Sequence, residues 1–119
     1  MKDAYLSVDL SKTDNKTQYE AKIRKFADHL DAKISDAEDK LTDVKEEAKT
    51  EYQSRVNALK EKRQEVSQHL VELKELMDDK WEDARDNFQM RFQTLSKEIS
   101  DAYEGIVAGF AYLFKKLTD

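Results

Sequence analysis

Two histidines, His29 and His69, are the side chains of this sequence whose ordinary titration lies closest to neutral pH, so acid–base or metal chemistry would have to begin with them. Neither sits in a pattern that such chemistry uses. No Glu-x-x-His pair occurs, which removes the di-iron bundle signature. No His-Glu-x-x-His and no glycine-rich phosphate loop is present. With no cysteine there is no thiolate zinc site, no thiol nucleophile and no disulfide framework. His69 follows Glu65 by four residues and reads as a boundary residue bonded to Glu65 or water. His29 precedes Lys33 by four and reads the same way, with pH sensing as the sharper alternative. Carboxylates cluster at Asp36, Glu38, Asp39 and Asp43, and again at Asp78, Asp79, Glu82, Asp83 and Asp86. Such clusters can hold calcium or magnesium weakly, but oxygens on a rigid helix do not wrap a cation as a looped site does. They read as solvated faces. The expectation is therefore no catalytic residue, no metal ligand, no cofactor and no enzyme.

The elements that would carry these residues are helices. From Thr17 to Glu104 there is no glycine or proline, and long straight-chain residues dominate. Ile23, Ala27, Leu30, Ile34, Ala37, Leu41, Val44 and Ala48 follow one another at alternating steps of four and three, the heptad seam of a coiled coil or of one bundle helix. After about residue 55 the period becomes eleven. Leu59, Leu70, Trp81, Phe92, Tyr103 and Phe114 form one series. Val66, Met77, Phe88, Ile99 and Phe110 form a second, and Leu73, Ala84, Leu95, Ile106 and Leu117 a third. Together they make one nearly straight apolar stripe. The aromatic residues on it, Trp81, Phe88, Phe92 and Tyr103, read as core, with a partner-binding groove as the alternative.

Thr17-Gln18-Tyr19-Glu20 matches a capping box, so the first long helix is expected to start there. Residues 1–16, with Leu6, Val8 and Leu10 ahead of a polar stretch, are expected to be an extended or disordered arm. Candidate corners lie at 53–57 and at Asp78-Asp79. One unbroken helix could not bury its own stripe and would need partner chains, whereas a hairpin or three-helix bundle could close the stripe internally. The fold expected is thus all-α, a helical domain over 17–119 built of long amphipathic helices in a coiled coil, hairpin or bundle. An oligomer is favoured over a compact monomer. Residues 49–63 are mostly basic and 72–86 mostly acidic, which favours antiparallel helix contacts.

The C-terminal segment 105–117 stands apart. Its first ten residues, 105–114, carry no charge, and Lys115 and Lys116 follow. A helix that is apolar all round must be buried by other helices or lie against lipid. Gly105 and Gly109 form a small-xxx-small pair that lets helix backbones approach closely. Gly105, Ile106, Gly109, Phe110, Leu113, Phe114, Lys115 and Lys116 are therefore the candidate contact residues for a protein partner or a membrane surface. Burial in an assembly is the preferred reading.

The chain has 119 residues, enough for one domain, and a formal charge of -5. An acidic chain neutralises phosphates poorly, so nucleic acid is not an expected partner. Acidic residues interrupt the N-terminus where a secretory signal needs an apolar run, and 105–114 is too short to span a bilayer. A cytoplasmic protein is expected, with membrane association at the C-terminal segment as an alternative.

Several short motifs carry a resemblance. They are Tyr19 with Lys22, Leu30-Asp31-Ala32, Ala48-Lys49-Thr50-Glu51-Tyr52, Leu59-Lys60-Glu61-Lys62-Arg63, Leu70-Val71-Glu72-Leu73 and Asp79-Lys80-Trp81-Glu82-Asp83. Over roughly residues 19–110 the chain resembles a group of small bacterial coiled-coil proteins assigned to stress response, with no biochemical activity attached. The resemblance implies a bacterial, cytoplasmic, non-enzymatic helical protein and brings no catalytic or binding residue. The expected function is that of a structural or interaction protein that self-associates through its helices and binds other proteins under stress. A peripheral membrane module is the alternative.

Overall fold

The computed structural model describes residues 15–118, with side chains over 15–109. Three helices follow in order: α1 (Lys16–Leu41), α2 (Glu46–Glu75) and α3 (Trp81–Thr118), with one 3₁₀ turn, Asp78–Lys80, before α3. No strand occurs among the described residues, so the fold is all-α. The helices pack as a three-helix bundle that buries the heptad seam and, through Ile106, most of the eleven-residue series. α2 runs antiparallel to both neighbours. Arg63 meets Asp31 while His69 meets Tyr19, and Arg91 meets Glu72 while Lys62 meets Glu98. α1 and α3 are consequently parallel, with Phe26 against Phe92 and Lys33 over the Tyr103 ring.

The first helix begins two residues earlier than a capping box at Thr17 implies. Asn15, not Thr17, is the N-cap: its extended backbone and Oδ1, which accepts from the Gln18 N–H at 2.8 Å, stop the helix there. Thr17 is an exposed residue of the first turn. The remainder of the expected arm, residues 1–14, lies outside the described residues. The first corner is at 42–45, not at 53–57, which runs through the middle of α2. Thr42 closes α1 by donating its hydroxyl to the Asp39 carbonyl at 2.7 Å, and the extended Lys45 opens α2 with Glu46 and Glu47 in its first turn. Acids there suit the positive end of the helix dipole.

The second corner falls at Asp78-Asp79 as expected. Leu76 and Met77 are extended and end α2. Lys16 secures this corner from α1, donating from Nζ to the Leu76 carbonyl at 2.5 Å and reaching Asp78 Oδ1 at 3.4 Å. A cation on the last carbonyls of a helix satisfies acceptors that the helix leaves open.

The heptad seam is buried from Ile23 through Val44, including Leu30, Ile34 and Leu41, and Ala48 packs at its edge. Of the eleven-residue series, Leu59, Val66, Leu73, Trp81, Phe88, Phe92, Leu95, Ile99 and Ile106 are buried, and Leu70 is half-buried against them. Met77 is a correction: it is 65 % exposed, because it sits in the corner between helices and not on one. Tyr19, Phe92, Ile23, Leu30, Leu59, Leu73 and Ile99 are fully enclosed. Burying a large apolar side chain contributes roughly 1.5–3 kcal/mol. The ion pairs across helices, Arg63–Asp31, Lys60–Glu38, Lys62–Glu98 and Arg91–Glu72, are exposed and contribute about 0–1 kcal/mol each, so packing holds the bundle. They also show where the basic block of α2 goes: it meets acids of α1 and α3, not the acidic block at 72–86.

Candidate functional site

The chemistry-bearing residues come together at two places. The first is a buried polar pair near the corner end of the bundle. Tyr19 of α1 donates its hydroxyl to the Phe88 carbonyl of α3 at 2.9 Å. Its oxygen also lies 2.6 Å from His69 Nε2 of α2. A phenol has one proton, and the carbonyl takes it, so the imidazole must carry the proton on Nε2 and donate to the phenol oxygen. Three helices are joined by this relay of two bonds. His69 is therefore not the boundary residue that the sequence suggested. It is 3 % exposed, with Tyr19, Phe88 and Phe92 ringed around it at centroid distances of 5.8, 5.1 and 5.2 Å.

Burial pushes the His69 pKa down to about 4; the nearby Arg91 guanidinium adds to this and Glu72 opposes it. Burial likewise raises the Tyr19 pKa above its ordinary value, against a smaller opposing pull from Arg91. At neutral pH both groups are uncharged and already bonded to each other. His69 forms the floor of an open groove of about 480 Å³ between α2 and α3, whose walls include Glu65, Glu72, Arg91 and Glu98. A histidine with so low a pKa is a weak base at neutral pH, and its phenol partner has no free proton to give. The relay joins the three helices and fixes their register. No group of three or more metal-ligating side chains converges among the described residues. Trp81 packs on the Tyr19 ring at 5.1 Å, and its Nε1–H is buried with no hydrogen-bond partner among the described residues.

The second place is the C-terminal half of α3. Ile106 is 1 % exposed and belongs to the core. Gly109 lies against the ring of Tyr52 on α2. A methyl group at 109 would come within 2.8 Å of Tyr52 Cζ and closer still to its hydroxyl oxygen, so only hydrogen fits without moving the ring. At Gly105 the same methyl would meet Arg55 at an ordinary 3.6 Å. Gly109 therefore serves a close contact inside the chain, and Gly105 does not. The outer side of the segment is open: Ala108 is exposed, and Val107 and Gly105 are half-buried. Phe110, Leu113, Phe114, Lys115 and Lys116 lie on helix that continues to Thr118, but their side chains are outside the described residues. No helix among the described residues is long and apolar enough to cross a membrane.

Sequence reasoning passed over Tyr19, His69 and Tyr52 as structural partners. A signal for His69 was present. It stands three residues after Val66 and four before Leu73, an interior slot of the α2 stripe. Tyr52 likewise precedes Val56 and Leu59 at four and seven residues. Comparison of this chain with protein-family models, with curated proteins and with solved structures finds no match.

Proposed function

We propose that this chain is a non-enzymatic interaction protein that works by helix association, and that its contact surface is the outer side of the C-terminal half of α3. The observation that carries this reading is the open apolar end. Between Glu104 and Lys115 no residue is charged, and Ala108 is exposed where a solvated helix face would carry polar side chains. The buried Tyr19–His69 pair is in keeping with the non-enzymatic part, since the phenol proton and the His69 Nε2 proton are both engaged within the relay. The heptad seam is buried within the chain, so association through it would require the bundle to open. Association through α3 would not. A role in bacterial stress response rests on the sequence resemblance alone, and its physical content is binding of other proteins by an exposed helix face.

Sedimentation equilibrium of the full chain from micromolar to submillimolar concentration tests the proposal. A mass rising above 13.9 kDa supports it. A constant 13.9 kDa with no retention of protein partners sinks it. The membrane reading has one observation in its favour. The acidic cluster at Asp78, Asp79, Glu82, Asp83 and Asp86 lies at the far end of the bundle. From Asp86 to Gly105 is about 28 Å of helix, well beyond a Debye length, so this cluster would not repel a headgroup layer touching the apolar end. Cosedimentation with phosphatidylcholine vesicles decides for it or against it.

A further inference from the structure

The groove of about 480 Å³ between α2 and α3 has the size of a small-molecule site. Its floor is His69. The Tyr19 relay fixes the proton of this imidazole on Nε2, so Nδ1 is a lone-pair acceptor. Nδ1 has no hydrogen-bond partner among the described residues. Trp81 Nε1 is the one polar side-chain atom among them that is both enclosed and unpartnered, so Nδ1 is not enclosed. His69 is only 3 % exposed, and it lines the groove. A buried side chain thus offers the groove an acceptor that the fold does not use, and a ligand must bring an N–H or O–H to meet it.

The walls make the same demand. Glu65 stands one turn before His69 on α2, and Glu98 faces it from α3. These two carboxylates share one ammonium, that of Lys62, at 3.3 and 3.0 Å. They hold one negative charge more than their partner neutralises. At the other end of the groove Glu72 is matched by Arg91 at 3.0 Å, so the excess lies at the Glu65–Glu98 end. Met90, 69 % exposed, and Leu95 supply apolar surface on the α3 side. We propose that this groove binds a small organic ammonium with an apolar body. The ammonium donates to His69 Nδ1 and to the Glu65 and Glu98 carboxylates, and the body lies on Met90 and Leu95. An ammonium has three N–H donors and no acceptor, which matches one imidazole and two carboxylates. An anion would meet the glutamates, and a neutral alcohol would leave the excess charge unanswered. A bare metal ion is the poorer occupant, because no three ligating side chains converge among the described residues. The site precedes the contact surface proposed for α3 and does not depend on it.

Amide NMR of the full chain, titrated with phenethylamine at neutral pH and low salt, tests the proposal. Saturable shifts are expected at 68–72 and 94–98. The neutral isostere 2-phenylethanol is expected to bind about fivefold more weakly or less. Glu98→Gln is expected to weaken phenethylamine about fivefold. Lys62→Ala frees both carboxylates of their competing cation and is expected to tighten it by a similar factor. Asp79→Asn and Lys80→Ala change the net charge by the same amounts at the corner, outside the groove, and are expected to leave the affinity unchanged. Circular dichroism confirms that each variant stays folded. Shifts that do not saturate would overturn the site. So would equal binding of the alcohol, or groove and corner variants that move the affinity alike, since net charge alone would then account for it.

Discussion

At the scale of single residues, the Tyr19–His69 pair makes stability depend on pH. An unfolded histidine titrates near 6.5 and the buried one near 4, so the folded state disfavours the charged imidazole. The stabilisation is complete above 6.5 and is lost as pH falls from there towards 4. The loss approaches about 1.4 kcal/mol per pH unit inside that window, about 3 kcal/mol in all. Urea unfolding followed by the fluorescence of Trp81, the one tryptophan, measures it. His69→Phe is expected to remove this slope while carboxylate titrations at lower pH remain. Parallel losses in wild type and variant would place the pH dependence elsewhere. Tyr19→Phe isolates the hydrogen bonds. It leaves the His69 Nε2–H buried without an acceptor and is expected to cost about 1–3 kcal/mol in the same assay at neutral pH.

At the scale of helices, the two glycines of α3 give opposite expectations. Neither has a positive φ, so alanine suits the backbone at both. In a helix, alanine is favoured over glycine by about 1 kcal/mol. Gly105→Ala is expected to collect that gain, because its methyl makes only an ordinary contact with Arg55. Gly109→Ala is expected to lose stability by about 1–3 kcal/mol, since the Tyr52 ring is buried and has to move. Thermal midpoints of the two variants on either side of wild type would confirm the close approach; two equal rises would refute it. Tyr52→Leu combined with Gly109→Ala should restore the gain. The helices themselves were legible in the sequence. The heptad seam through Val44 and the eleven-residue series through Ile106, Met77 excepted, lie in or against the observed core, because burial in a bundle imposes those periods. The corner at 42–45 was not legible. Val44 and Ala48 continue the seam in phase across it, and neither glycine nor proline marks the break. The Tyr19–His69 contact was not legible either: the two residues stand fifty apart, and only the bundle topology joins them.

At the scale of the molecule, shape separates the ways in which two copies could meet. The bundle is 59 Å long and 25 by 18 Å across. α3, at 38 residues, spans nearly all of that length, while α1 has 26 residues and ends short of it. The contact surface proposed for this chain lies in the C-terminal half of α3, so two copies meeting there overlap by that end, and their acidic corners stay apart. Such a particle is longer than 59 Å. Side-by-side association along the whole bundle would leave the length near 59 Å and thicken the particle instead. End contact keeps the acidic clusters apart, which a chain of net charge -5 favours at low salt. Small-angle scattering over a concentration series is therefore expected to show the maximum dimension growing as the mass doubles. A doubled mass at unchanged length would refute contact through this end of α3.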